Sequence, residues 1–274
     1  MSVKVTRDEV IAYRLEAQNL NRRLDKRSLV AATGVCGVQN SPPGSALLAL
    51  NARVSDVARE AVNTAISEHK SLLQVICFAP RDGKKAPFVL LDEWLDTDVP
   101  DVAPEDARAE LLRRYLHAYG PSPRGDFASW LGVRAREGEA WWDLLENEMT
   151  EVDYGRKAWV LTEDLDALQS PPTPAGVRLL PPRDPYIQGR DRETIIDKQF
   201  HRDVFKTVGE PGTVLVDGRI VGTWRARKKG KNLHMSVTSF DRLSARSKKV
   251  VEAEAEKVAI LRGAAAVEVD VDSA

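Results

Sequence analysis

An α+β fold is what this sequence predicts, on two grounds. Helical periodicity twice runs through three or four short helices into a strand or hairpin, and three strands with tight turns are then closed by a long helix. Helices followed by a hairpin is the order of a winged-helix (helix-turn-helix) module, so the expectation is tandem winged-helix modules with a C-terminal β-meander and a closing helix. The 274 residues allow two or three such modules with an ample core. Hydrophobic residues at 43% and charged residues at 30% exclude wholesale disorder.

Thr6 to Leu20 reads as the first helix. Thr6-Arg-Asp-Glu9 has the capping-box pattern, and Val10, Tyr13, Ala17 and Leu20 recur at helical spacing. A second helix runs from Ser28 to Gly34, where glycine supplies the left-handed stop. After Pro42-Pro43-Gly44 breaks the chain, Ala46 to Val54 resumes as an apolar helix. Asp56 caps a further helix to about His69, and Leu72 to Phe78 reads as a buried strand. This first module spans 1–79. Residues 80–103 form a connector with one apolar segment, Phe88 to Leu95.

The second module spans 104–170. Pro104 opens a helix with Ala107, Leu111, Leu112 and Tyr115 on one face, closed by Gly120-Pro121. A short helix with Phe127 and Trp130 ends at Gly132, Glu137 to Met149 is the third helix, and Glu151–Tyr154, Gly155 and Lys157–Leu161 make a hairpin. Pro171-Pro172-Thr-Pro174 stiffens the entry to a C-terminal module, 171–274. There, Thr213–Val216, Arg219–Arg227 and Leu233–Thr238 read as strands joined by tight turns at Asp217-Gly218 and Lys229-Gly230-Lys231-Asn232. Arg242 to Leu261 closes the chain as a helix with Val250, Val251, Ala255 and Val258 inward.

Charge narrows the function. Net charge is only −1, yet His201 to Val250 holds twelve Lys or Arg against four Asp or Glu, a local +8. Glu137 to Ser170 holds ten acids against two bases, a local −8. The third helix of the second module carries Glu137, Glu139, Asp143, Glu146 and Glu148, and phosphates would repel it from a groove. The hairpin bearing Arg225, Arg227, Lys228, Lys229 and Lys231 is the opposite case: narrow, cationic and suited to duplex DNA. The alternative is a charged sheet edge that blocks aggregation. Aromatic residues make up 6% and Trp224 is the lone ring beside this tip, so a single-strand stacking platform is disfavoured. Cys36 and Cys77 have no CxxC spacing, and His69, His117, His201 and His234 stand far apart, so no metal and no cofactor are expected. The N-terminus lacks an apolar signal region and no run reaches membrane-span length, so a soluble cytoplasmic protein without a membrane partner is expected.

The segment Gly37-Val38-Gln39-Asn40-Ser41-Pro42-Pro43 places two carboxamides and a hydroxyl in a Gly/Pro-bounded frame. A carboxamide donates and accepts at once, so it can orient a water nucleophile without titrating. The same composition also makes an ordinary turn.

Several stretches together resemble the AlkZ/YcaQ-like family of winged-helix DNA-binding proteins, which includes glycosylases acting on alkylated purines and interstrand crosslinks. They are the first helix through Gly37-Val38-Gln39, Ala46 to Val54, Ser71-Leu72, Leu111 to Pro121 with Asp126 to Trp130, Leu179 to Gly189 with Asp191-Arg192, and Val216 to Trp224. The resemblance implies tandem winged helices around duplex DNA and a catalytic signature of Gln, any residue, then Gln or Asp. Gln39 matches its first position and Ser41 stands at its second. It also implies a further segment after Ser71-Leu72 that this chain lacks, roughly a domain's worth. The expected function is thus duplex-DNA binding with monofunctional removal of alkylated purines, Gln39 positioning water and Ser41 assisting. The alternative is a non-catalytic DNA-binding or interaction protein.

Overall fold

The computed structural model describes residues 3–34, 37–72, 95 and 101–273. The expected strand Leu72–Phe78 beyond Leu72, most of the 80–103 connector, and Cys36 and Cys77 lie outside the described residues. The fold is mixed α and β, with a three-stranded and a five-stranded sheet.

A short strand β1 (Val3–Lys4) leads into helix α1 (Arg7–Ala17). Thr6 Oγ1 accepts from the Glu9 N–H at 3.2 Å, and the Glu9 carboxylate accepts from the Thr6 N–H at 2.6 Å, a complete capping box. Helices α2 (Leu29–Gly34), α3 (Ser45–Arg53) and α4 (Arg59–Ser67) follow. The cap expected at Asp56 is not made. Asp56 sits in the left-handed region at φ +50°, which Asp tolerates, and α4 starts after Ala58 with no side-chain cap.

Helices α5 (Pro104–Tyr119), α6 (Arg124–Leu131) and α7 (Ala135–Trp142) precede the hairpin β2 (Met149–Asp153) and β3 (Lys157–Leu161). β1 adds to β2 in parallel, Val3 opposite Val152. Two expectations shift here. The buried face of α5 is Ala109, Leu112, Tyr115, Leu116 and Tyr119, while Ala107 is exposed. The third helix breaks after Trp142 into a 3₁₀ turn, Asp143–Glu148, where Leu145 leaves helical geometry at φ −115°, ψ 15°. That break buries both Trp142 and Leu145 completely.

Beyond helix α8 (Leu165–Gln169), β4 (Val177–Leu180) is followed by three single turns, α9 (Pro185–Gln188), α10 (Arg192–Ile195) and α11 (His201–Val204). Then come β5 (Gly212–Val216), β6 (Arg219–Lys229), β7 (Asn232–Ser239), α12 (Ala245–Leu261) and β8 (Ala266–Ser273), in sheet order β4-β5-β6-β7-β8. Asp217 and Gly218 both take positive φ, 44° and 84°, the two-residue turn that suits strand twist. β8 pairs in parallel with β7, which α12 permits by crossing over between them. Along α12, Val251, Ala255 and Val258 are buried. Val250, expected inward, is 37% exposed, one residue (about 100°) round from Val251.

Helix α1 lies in two cores at once, and α2 to α4 lie in a third. Val10 and Tyr13 of α1 pack with Val152, Ala158 and Val160 of the hairpin. Ile11 and Leu15, on its other side, pack with Leu180, Ile187 and Leu215. Leu29, Leu48, Leu50 and Val62 share a core with Trp224, Met235, Val251 and Val258. The loop 37–44 is thereby held beside the root of β6. No described helix is long and apolar enough to cross a membrane.

Candidate functional site

The loop 37–44 closes onto the start of α3. Asn40 Oδ1 accepts from the Gly44 N–H at 2.8 Å and reaches the Ala46 N–H at 3.4 Å, so this side chain serves as a local cap. Gln39 and Ser41 are both exposed. Arg183 Nη1 donates to Ser41 Oγ at 3.5 Å, the outer limit for a hydrogen bond.

The residues that follow, Pro42 to Ser45, line one wall of an open cleft of about 530 Å³. Its other walls come from Arg59, Pro182, Glu210 and the β6 residues Trp224, Arg225 and Lys228. Two segments far apart in sequence, the turn after Gln39 and the root of the basic hairpin, therefore face one hollow. Trp224 supplies its back wall. The indole Nε1 donates to the Leu180 carbonyl at 2.8 Å, and a Cβ on Gly212 would lie 2.3 Å from that nitrogen and 2.5 Å from that carbonyl oxygen. Only glycine leaves room at 212. Arg262 lies over the indole ring at 5.6 Å and donates to the Ala226 carbonyl at 3.2 Å; burial lowers its pKa.

The five hairpin cations differ in what they touch. Arg225 donates to the Gly209 carbonyl at 2.5 Å, and Lys228 Nζ to the Gly263 carbonyl at 2.6 Å. The side chains of Arg227, Lys229 and Lys231 are exposed and make no hydrogen bond or ion pair among the described residues. Arg225, Arg227 and Lys229 share one face of β6, alternating with buried Trp224 and half-buried Ala226.

Buried ion pairs that the sequence reading missed hold these pieces in place. Arg53, at the C-terminal end of α3, meets Asp184 in a two-pronged pair, both bonds 2.8 Å, with side chains 2% and 0% exposed. Asp184 also accepts from the Tyr186 N–H at 3.0 Å. Arg14 of α1 donates to the Gly120 and Pro121 carbonyls and pairs with Asp191 at 3.0 Å. Burial alone would raise the Asp191 pKa; the Arg14 guanidinium and the donors Thr194, Arg156 and Tyr154 outweigh it and hold the pKa low. The only signal for these pairs was the Leu179 to Arg192 stretch itself, which has no local periodicity to explain its Asp and Arg.

Glu210 was also missed. It is 15% exposed, its carboxylate lies 3.7 Å from Arg183 Nε, and burial raises its pKa against Arg183 and Arg192. A second hollow, at the β2–β3 turn, gathers Arg7, Arg156, Arg190 and Arg192. Three of those guanidiniums are engaged at Thr194, Asp191 and Ser129, at 2.7, 3.0 and 2.7 Å. Among the described residues no three His, Cys, Asp or Glu side chains gather as a metal site would need.

Three comparisons with known proteins bear on this geometry. A family model described as DNA glycosylase AlkZ-like matches residues 71–260. The interstrand DNA cross-link repair glycosylase of Streptomyces sahachiroi is 32% identical over 199 residues, which is 69% of this chain and 52% of that protein. The chain's match thus spans about half the length of that relative. The solved structure of Streptomyces sahachiroi DNA glycosylase AlkZ superposes with a TM-score of 0.76 at 22% identity, over 98% of this chain and 100% of that chain, a likeness of fold.

Proposed function

This chain belongs to the AlkZ-like DNA glycosylase family, and we propose that it binds duplex DNA and removes alkylated purines by hydrolysing the N-glycosidic bond, without a covalent enzyme intermediate. The observation that carries this reading is the shared cleft, in which the turn after Gln39 faces the root of the cationic hairpin. Excision needs a water directed at C1′ as positive charge grows on the sugar. Gln39 is exposed beside this cleft and offers a carboxamide to orient that water. An N7-alkylated purine, free or within a crosslink, is already cationic and leaves as a neutral base, so the leaving group needs no acid. Arg225, Arg227, Lys228, Lys229 and Lys231 follow the phosphates in this reading. The winged-helix modules 1–79 and 104–170, the connector 80–103 and the C-terminal module 171–274 belong to the same proposal.

A second reading, a DNA-binding protein without catalysis, is favoured by Ser41. A hydroxyl is shorter than a carboxamide and cannot bond at two ends. The deciding experiment is single-turnover excision from duplex DNA containing N7-methylguanine, with Gln39→Ala alongside. Excision that falls by about 100-fold or more in the variant, in the range expected for a positioning group, supports the glycosylase. A wild type that binds the duplex but releases no base supports the second reading.

A further inference from the structure

Gln39 can aim a water, yet it cannot take the proton that the water must lose. Of the described residues lining the cleft, Glu210 alone is acidic, facing Arg59, Arg225, Lys228 and Arg262. It is tied to the 39–41 motif through one side chain. Arg183 reaches Ser41 Oγ with Nη1 at 3.5 Å and approaches the Glu210 carboxylate with Nε at 3.7 Å. The loop carrying Glu210 is fastened to the basic hairpin as well, since Arg225 donates to the Gly209 carbonyl immediately before it. On the other side, Pro211 and Gly212 lock it to the Trp224–Leu180 contact. A carboxylate held in this way is placed, not loose.

We infer that Glu210 is the proton acceptor of the excision step, a role no other described group lining this cleft can fill. The inference rests on the glycosylase reading above. In the step, the water oxygen forms a bond to C1′ as the C1′–N9 bond breaks. The bonding pair goes to the purine, cancelling the positive charge of its alkylated ring, and the water proton passes to a Glu210 oxygen. No other reactant is needed. Burial raises the Glu210 pKa, Arg183 and Arg192 oppose the rise, and the remaining charged groups of the cleft are Arg59, Arg225, Lys228 and Arg262. A raised carboxylate pKa makes a stronger base. Excision must therefore rise with pH as Glu210 deprotonates, with its acid limb displaced upward from the ordinary glutamate value.

The test is single-turnover excision of N7-methylguanine from duplex DNA between pH 4 and 9, corrected for spontaneous loss, for wild type, Glu210→Gln, Glu210→Asp and Gln39→Ala. Duplex affinity by fluorescence anisotropy and a melting curve accompany each variant. Glu210→Gln is expected to slow excision at least tenfold and flatten the acid limb, while binding DNA as tightly or more tightly, because it removes a negative charge. Glu210→Asp is expected to keep the limb at a lower rate. Full excision with an unchanged limb in Glu210→Gln, while Gln39→Ala is inactive, would overturn the role of Glu210 and leave the glycosylase reading standing. A wild type with no excision at any pH overturns both.

Discussion

The hairpin cations are not equivalent, and their salt dependence should show it. Arg225 and Lys228 are held on main-chain carbonyls at 2.5 and 2.6 Å, whereas Arg227, Lys229 and Lys231 are unpartnered among the described residues. Each cation that neutralises a phosphate contributes about −0.9 to the slope of log K against log salt. Replacing Arg227, Lys229 and Lys231 together by Ala should therefore make that slope shallower by about 2.7. Between 50 and 200 mM salt, wild-type affinity should fall about 40-fold more than that of the triple variant. Lys228→Ala should change the slope by less than one unit, because its ammonium divides its donors between the phosphates and the Gly263 carbonyl. The three exposed positions make few packing contacts, so unfolding free energy should move by no more than about 0.5 kcal/mol. Fluorescence anisotropy of a labelled duplex at four or five salt concentrations measures the slope. A triple variant with the wild-type slope, or a larger effect from Lys228→Ala alone, would refute the argument and return the hairpin to the role of a charged sheet edge.

Arg53→Met strands the fully buried Asp184 and should cost about 3–5 kcal/mol by urea unfolding, whereas Arg53→Met with Asp184→Asn should recover part of that loss; equal losses would mean that the pair is not coupled. Gly212→Ala drives a methyl to within 2.3 Å of Trp224 Nε1 and should cost about 1–3 kcal/mol, with changed tryptophan fluorescence as the local readout. His117 accepts its pH role from Asp164, whose carboxylate lies 2.9 Å from Nδ1; that hydrogen bond raises the His117 pKa, with burial opposing. Its stabilisation is complete below the unfolded value of about 6.5 and is lost as pH rises through the higher folded value. His117→Gln should thus lose more stability at pH 5.5 than at pH 9, by no more than about 1 kcal/mol because the ring is nearly half exposed. Equal losses at both pH values would remove the charged pair from the account.

Local chemistry was legible in the sequence wherever the cause was local. The Thr6–Glu9 capping box, the Asp217-Gly218 turn and the strand limits around it depend on residues within a few positions of one another. Three strands went unread: β1 has only two residues to read, and the other two escaped for opposite reasons. β4 is buried at every position, so it has no alternation to detect, and Ala266–Ser273 alternates Val with Glu and Asp but resembles a polar tail until β7 pairs with it. The break at Trp142 was not legible either. Burying Leu145 beside Trp142 outweighs helical continuity, and that choice depends on α5 and β3, which supply the pocket. The exposure of Gln39 and Ser41 followed from the Gly/Pro frame, but the cleft beside them did not. Its far wall lies about 180 residues away in the chain.

What joins those distant walls is the stretch from Leu179 to Arg192, and its charged residues divide the work. Asp184 holds Arg53 at the C-terminal end of α3, while Asn40 caps the same helix at its start, so both ends of α3 are fixed and the Gln39 loop inherits that rigidity. Asp191 holds Arg14 of α1, and Arg178, its pKa lowered to about 10 by burial, donates to the Ala52 and Asn21 carbonyls at 3.0 Å each. Arg23 pairs with Glu254 of α12 and donates to the Asn51 carbonyl at 2.7 Å, closing the ring from the other side. Each of these guanidiniums is costly to bury alone and is satisfied by carbonyls or carboxylates from another part of the chain. Arg183 is the exception: it sits in the same stretch, at φ +59°, half exposed, and its two partners are the side chains of Ser41 and Glu210. The neighbours of Arg183 build the scaffold, whereas Arg183 bridges Ser41 on the turn beside the cleft and Glu210 in the cleft wall. Polar contacts across that single guanidinium, not proximity in sequence, bring the Gln39–Ser41 turn and Glu210 together.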